Sequence, residues 1–182
     1  LVYFTTFGGF LALTSWLPTY FTSFFKLNLK MAGLLTAVYS IATSLIRIYG
    51  GKISDKRGGE YTSAAALIVM LIGAVCMTIT SSLPIAVLGI LLLAAGMGVT
   101  NAAVFKILPK AVPHAVGGAS GWVGGLGAFG GFVIPPFMAS FIDKTGRSLS
   151  GYQKGFLIFV VLSVISFLIV NFLRINSVKK ER

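Results

Sequence analysis

One arginine lies deep inside an apolar stretch of this sequence, and it is the residue best placed to do chemistry. Arg47 falls within the run of residues 31–51, eight residues before Asp55, which is about 12 Å along a helix. A charge that is buried without a partner is costly, so such an arginine is a candidate functional residue by default. The four acidic residues all lie outside the apolar runs: Asp55, Glu60, Asp143 and Glu181.

The chemistry that suits a lone arginine is the binding of an anion. Its planar guanidinium donates two parallel hydrogen bonds, which match an oxyanion. Because the chain offers Arg47 no buried carboxylate, we expect an anion that binds and leaves. The alternative is a structural arginine whose side chain reaches the membrane surface, and both interpretations stay open. The single histidine, His114, falls in a predicted loop at the interface, so the apolar runs contain no group that commonly carries protons.

Composition gives the class of protein. The chain has 182 residues, of which 56% are hydrophobic and 10% charged, with a mean hydropathy of +0.93. Soluble domains are about 25% charged, so soluble, disordered and disulfide-rich classes are excluded. The single cysteine, Cys76, can form neither an internal disulfide nor a zinc site. The net charge of +11 comes from bases at the ends of apolar runs. We therefore expect a membrane protein with no metal, cofactor or nucleic-acid partner.

The apolar runs predict an all-α integral membrane bundle of six transmembrane helices. A span needs roughly 20 apolar residues. The charged string from Lys52 to Glu60 is predicted to be a loop, and Pro135 and Pro136 are predicted to kink or break the fifth helix. The predicted spans are about 1–25, 31–51, 61–80, 84–105, 115–142 and 152–173.

The distribution of basic residues predicts a cytoplasmic C-terminus. With that orientation, nine bases lie on the inner side and five on the outer side. The chain starts at Leu1 within an apolar run, so we expect a piece of a longer protein. The inner bases are Lys52, Lys56, Arg57, Lys106, Lys110, Arg174, Lys179, Lys180 and Arg182, and the outer bases are Lys26, Lys30, Lys144, Arg147 and Lys154.

Glycine is concentrated in the fifth predicted helix. Small residues on one helical face allow a neighbouring helix to approach closely. Backbone without side chains also lets a ligand come near, so the face could instead line the path of a substrate. The two interpretations are compatible if packing and pathway use different edges of the face. Gly125 and Gly127 flank this face. Its members are Gly117, Gly121, Gly124, Ala128 and Gly131.

Two further sets of residues are candidates for the site. Tyr3, Phe7 and Phe10 share one face of the first helix, which indicates either packing or the wall of an anion site with the Tyr3 hydroxyl as a donor. Asn101 lies in the fourth helix, where its amide either bonds a neighbouring helix or contacts the pathway.

The segment after the second helix resembles a known family signature. It reads Gly51-Lys-Ile-Ser-Asp55-Lys-Arg-Gly58 and resembles the G-x-x-x-D-x-x-G motif of the major facilitator superfamily. In that family the motif lies at an inner loop, and its aspartate helps lock the inner gate by bonding toward the opposite bundle. The resemblance implies a gating role for Gly51, Asp55 and Gly58.

Four other runs resemble nitrate/nitrite porters of the NarK/NasA type. The resemblance covers nearly the whole chain, which would correspond to helices seven to twelve of those porters. Residues 121–132 resemble the glycine-rich nitrate signature, with Ala128 as a small departure from it. The remaining runs resemble the tenth, eighth and seventh helices of those porters: residues 104–109, 45–51 and 3–10.

The resemblance implies a carrier of two six-helix bundles, of which the N-terminal one is missing here. Nitrate or nitrite would lie between two arginines, one of them Arg47, with Tyr3 and Phe7 facing the substrate. The two bundles would rock around this site in the plasma membrane. Exchange of nitrate for nitrite is favoured over nitrate–proton symport because the spans hold no acid. The candidate site also includes Asn101, the glycine-face residues Gly124 and Ala128, and Gly125 beside that face.

Two other functions stay open. One is a facilitator-type carrier of another small anion, such as an organic acid. The other is a half-length membrane scaffold that does not transport. A membrane enzyme is disfavoured, because no span contains a cluster of His, Asp or Glu.

Overall fold

The chain folds as a bundle of helices. A computed structural model describes residues 1–144 and 149–180, and within these the side chains of residues 1–142 and 150–175. The predicted all-α class is confirmed. The helices are a π-helical turn, Phe4–Gly8 (the π segment), followed by α1 (Gly9–Ser23), α2 (Leu29–Arg57), α3 (Gly59–Ile79), α4 (Leu83–Ala111), α5 (Val116–Lys144), α6 (Leu149–Gly155) and α7 (Leu157–Lys180).

Five stretches of the described residues are long and apolar enough to cross a membrane. Four of them lie in α2, α3, α4 and α5, and the fifth runs through α6 and α7 over Ser150–Ile175. The π segment and α1 follow one another without a gap and together make the remaining helical stretch of the bundle. The chain is therefore built as a multi-pass membrane protein.

Glycines allow the central helices to approach closely. A side chain at Gly96 of α4 would collide with α3, because its Cβ would stand 2.7 Å from the Ala66 carbonyl oxygen. A Cβ on Gly50 of α2 would likewise stand 2.7 Å from Val99 Cα on α4. Lipid gives no hydrophobic drive for helix association, so close backbone packing at small residues stabilises such a bundle.

The predicted loop at residues 52–60 is wrong. Helix α2 continues to Arg57, and the turn is confined to Gly58, whose φ of +86° and ψ of 150° suit glycine alone. Helix α3 then begins at Gly59. The charged side chains are solvated, so they lengthen the helix beyond the apolar layer instead of ending it. Asp55 consequently lies on a helix.

The last helices correct one prediction and refine another. Helix α5 continues through Pro135 and Pro136, so of the predicted kink or break the break does not occur. The predicted sixth span is found as one apolar stretch, Ser150–Ile175, with a turn at Phe156 between α6 and α7. There the Phe156 N–H donates to the Gln153 carbonyl at 3.0 Å, a spacing of three residues that tightens the turn.

Candidate anion site

The structure brings Arg47 and Tyr3 together. Arg47 is half-buried on α2, and Tyr3, just before the π segment, is 6% exposed. The guanidinium lies close enough to the phenol to act on it as a charge. Within the described part of the chain Arg47 has no carboxylate partner, since the ion pair found there joins Lys106 to Asp55. The guanidinium therefore keeps donors for a ligand.

Aromatic rings form a wall beside this pair. The Tyr3 ring stacks on Phe7 with centroids 5.0 Å apart, and Phe105 of α4 meets Tyr3 edge-on, also at 5.0 Å. Phe10 continues the row at 6.3 Å from Phe7. The sequence indicated the row on the first helix but not Phe105, which fell at the predicted end of the fourth span. Phe105 follows Asn101 by four residues, a spacing that places both side chains on one face of a helix. That spacing was the signal in the sequence that could have identified Phe105.

Two hydrogen bonds hold the π segment to its neighbours. Thr6 Oγ1 donates to Asn101 Oδ1 at 2.7 Å, and Ser166 Oγ on α7 donates to Thr5 Oγ1 at 2.8 Å. Asn101 is fully buried and so is joined to the first helix, as the packing interpretation expects. Its amide nitrogen is buried without a partner among the described residues. A π turn is a common feature of functional sites, and this one carries Phe7.

The glycine face of α5 is divided between packing and open space. Gly127 packs on the Tyr3 ring, and Gly131 packs on Leu11. By contrast, a Cβ at Gly121, Gly124 or Gly125 would meet nothing within 4 Å, and Ala128 is exposed. A groove of about 430 Å³ runs along this open edge, lined by Gly118, Gly121, Trp122, Gly125 and Leu126. Tyr3 thus packs on the glycine helix and lies near the arginine on α2.

The motif residues lie at the end of the bundle where α2 and α4 end and α3 begins, which we call the basic end. Asp55 and Lys106 form an ion pair of 2.5 Å, with side chains 61% and 50% exposed. The aspartate therefore joins α2 to α4 within this bundle. Gly51 has open space beside it, and Gly58 makes the turn.

Some predicted residues do not belong to the site. His114 is exposed in the turn between α4 and α5. Two acids and five of the bases used to predict orientation lie outside the described side chains: Asp143 and Glu181, and Lys144, Arg147, Lys179, Lys180 and Arg182.

Apolar helices of membrane length define a polytopic membrane bundle, and a half-buried arginine beside an aromatic wall is its candidate anion site. Comparison with known families gives the class. The model of the Major Facilitator Superfamily matches residues 1–182, and the chain belongs to that family. Its class is therefore that of membrane carriers and not of enzymes.

Several similar proteins carry names that concern nitrate or nitrite. The chain is 34% identical over its whole length to a probable nitrate/nitrite antiporter, NarK1, of Thermus thermophilus, and it spans 44% of that protein. It is 31% identical to a nitrite extrusion protein of Bacillus subtilis, with 93% of the chain and 42% of the relative covered. It is 28% identical to a probable nitrate transporter, NarT, of Staphylococcus epidermidis, with 99% and 44% covered. The chain thus spans less than half the length of these relatives.

A solved structure gives the fold independently. A bacterial homologue of the human lysosomal transporter Spinster, in an inward-facing and occupied conformation, superposes with a TM-score of 0.73. The match covers 95% of this chain and 47% of that one at 16% identity, so it supports the fold alone.

Proposed function

We propose that this chain forms the C-terminal six-helix bundle of a nitrate/nitrite carrier of the plasma membrane, with its C-terminus in the cytoplasm. The observation that carries the proposal is a half-buried Arg47 whose guanidinium lies near the Tyr3 phenol and has no carboxylate partner within the described residues. The names of the relatives support the choice of anion, and the bases gathered at one end support the orientation.

Each part of the site has a task that follows from its chemistry. The guanidinium of Arg47 donates two parallel hydrogen bonds to two oxygens of the flat anion. The Tyr3 hydroxyl lies beside it as a further donor, while Phe7 and Phe105 keep water away from the charge pair. Excluding water strengthens the attraction between anion and guanidinium. A second bundle would close the site from the opposite side, and rocking of the two bundles would expose it alternately.

The open glycine edge of α5 would let the anion and the second bundle come close. Gly124 and Gly125 present backbone without side chains, and Ala128 adds only a methyl group. The Asp55–Lys106 pair would steady the basic end while the bundles rock.

Binding by the full-length protein tests the role of Arg47. We expect Arg47→Ala to abolish detectable binding of both nitrate and nitrite with the protein still folded. Arg47→Lys keeps the charge but loses the paired hydrogen bonds, so we expect it to weaken binding about tenfold or more. Lys52→Gln removes a base from the exposed end of the same helix and is the matched control. Unchanged binding in Arg47→Ala would make the arginine structural, and full affinity in Arg47→Lys would refute paired hydrogen bonding.

We further propose exchange of nitrate for nitrite in preference to nitrate–proton symport. The site gathers an arginine, a tyrosine and phenylalanines, and no carboxylate among the described residues forms an ion pair with Arg47. In proteoliposomes, uptake of labelled nitrate should require nitrite or nitrate inside and should be indifferent to an imposed pH gradient. Uptake into empty vesicles that follows the pH gradient would overturn exchange.

A carrier of another small anion is the second candidate, because paired donation from Arg47 suits any flat oxyanion. Competition against labelled nitrate separates the two candidates. Formate or a small carboxylate that displaces nitrate at equal concentration would favour the broader carrier.

A further inference from the structure

The basic end of the bundle carries a marked excess of positive charge. Among the described residues it holds six bases against two carboxylates, Asp55 and Glu60. Asp55 is already engaged with Lys106. Positive side chains at the end of a membrane bundle lie at the level of the lipid head groups. The six bases are Lys52, Lys56, Arg57, Lys106, Lys110 and Arg174.

Two of these bases converge on one tyrosine. The guanidinium carbon of Arg57 lies 6.0 Å from the centroid of the Tyr61 ring, and that of Arg174 lies 5.8 Å from the same centroid. The ring is 45% exposed. Arg57 makes no ion pair with any carboxylate in the described part of the chain. A guanidinium without a carboxylate partner at the level of the head groups attracts an anion, so Arg57 is the base at this ring that can bind one.

An apolar groove continues from this point into the membrane layer. It has a volume of about 280 Å³ and lies between α2, α3 and α4. Arg57 and Tyr61 line one end, and Ala65, Val69 and Val99 line the rest. Ala65 is exposed, so the groove is open at the surface of the bundle. The charged end of the groove is thus formed by Arg57 and Tyr61, and the rest of the groove is mostly apolar.

We propose that this is a binding site for one anionic phospholipid of the leaflet at the basic end. The phosphate would bind beside Tyr61 at Arg57, and one acyl chain would lie in the groove. The charge of the cluster fits an anionic head group, and a groove that is apolar below it fits a hydrocarbon chain. A soluble anion would gain nothing from the groove, and an uncharged lipid would gain little from the guanidiniums.

This site is separate from the candidate anion site. Arg57 lies ten residues after Arg47 on α2, about 15 Å along the helix. The proposal therefore does not depend on which substrate is transported. Helix α2 would connect the two sites, because it carries one arginine of each.

Native mass spectrometry of the full-length protein in detergent tests the site with two probes, dioleoyl phosphatidylglycerol and dioleoyl phosphatidylcholine. We expect retained phosphatidylglycerol at one copy per protein and much weaker retention of phosphatidylcholine. Arg57→Gln should weaken phosphatidylglycerol binding about fivefold, the effect of one charge at the interface. Ala65→Leu fills the groove without changing charge and should weaken binding as well.

Lys52→Gln is the matched control. Lys52 also lies over a tyrosine ring at the same end, 5.9 Å from the centroid of Tyr49, but outside the groove. It should leave phosphatidylglycerol binding within about twofold of wild type. An equal loss in Lys52→Gln and Arg57→Gln would show general attraction and overturn the site. Binding of glycerol phosphate as tight as that of the lipid, or no effect of Ala65→Leu, would overturn the acyl-chain groove. Nitrate binding, measured in parallel, reports on the other site alone.

Discussion

The contact between Gly127 and Tyr3 allows the anion site to be perturbed from a neighbouring helix. A Cβ built on Gly127 would stand 3.0 Å from Tyr3 Cε1 and 3.3 Å from its Cγ, closer than carbon atoms pack. The ring has little room to move, because it is 6% exposed, stacked on Phe7 and met edge-on by Phe105. Gly127→Ala should therefore displace Tyr3 from Arg47.

The size of the effect follows from what is lost. Overpacking at a tight contact costs about 1–3 kcal/mol of folding free energy. A hydrogen bond that involves a charged group contributes about 1.5–3 kcal/mol, so losing the Tyr3 hydroxyl from its place should raise the Kd for nitrate about 10- to 150-fold. Gly117→Ala adds the same methyl group to the same helix where nothing lies within 4 Å, and it should bind nitrate as wild type does.

Isothermal titration of nitrate into the full-length protein measures the difference. Tyr3→Phe keeps the ring and removes the hydroxyl, so it should weaken binding to a similar degree. Combining it with Gly127→Ala should weaken binding little further, because both act on one hydroxyl. The reasoning is refuted if Gly127→Ala binds nitrate as tightly as Gly117→Ala, or if the two effects on the free energy of binding simply add.

Three further substitutions give separate expectations. Reversing the charge of Asp55 alone should slow exchange in a flux assay, and reversing the charge of Lys106 as well should restore it. The free energy of unfolding should change by less than about 1 kcal/mol, because both side chains are half-exposed. Gly58→Ala should lower the thermal midpoint, because its backbone conformation costs other residues about 1–3 kcal/mol, whereas Gly33→Ala in open helical space should not lower it. Thr6→Val should destabilise the protein by about 1–3 kcal/mol, since it leaves a buried amide without its partner, and Thr6→Ser should recover that loss in thermal unfolding.

The sequence was sufficient for the membrane helices and for the pairing of candidate residues on one face. Apolar runs of the right length identify the spans because the bilayer fixes that length. A spacing of four residues placed Tyr3 and Phe7 side by side, and their rings do stack. The proximity of Arg47 and Tyr3 joins two helices. The spacing of the aromatic residues left packing and an anion-site wall as alternatives for Tyr3, and the resemblance to a family favoured the anion site.

What the sequence did not predict depends on neighbours that one helix cannot specify. The charged run before Gly58 looked like a loop, yet helical hydrogen bonds continue through it to Arg57. The two prolines of α5 remove two N–H donors, but the helix runs through them. The glycine face is part packing surface and part open space. A Cβ at Gly131 would contact Leu11 of α1, whereas a Cβ at Gly124 would contact nothing within 4 Å, so the position of α1 decides the difference. No pattern of residues in the sequence predicted the π segment.

The π segment also bears on how the first helix tolerates a change in length. A π turn closes its hydrogen bonds over five residues instead of four, so it holds one residue more than an α turn would need. Deleting one residue within Phe4–Gly8 would convert this turn to an α turn and leave Tyr3 and α1 in their present relative orientation. The same deletion within α1 would rotate the two sides by about 100° against each other. A one-residue gap in this turn is therefore the length variation that the bundle can absorb, and alignments of related chains should be allowed to place it there.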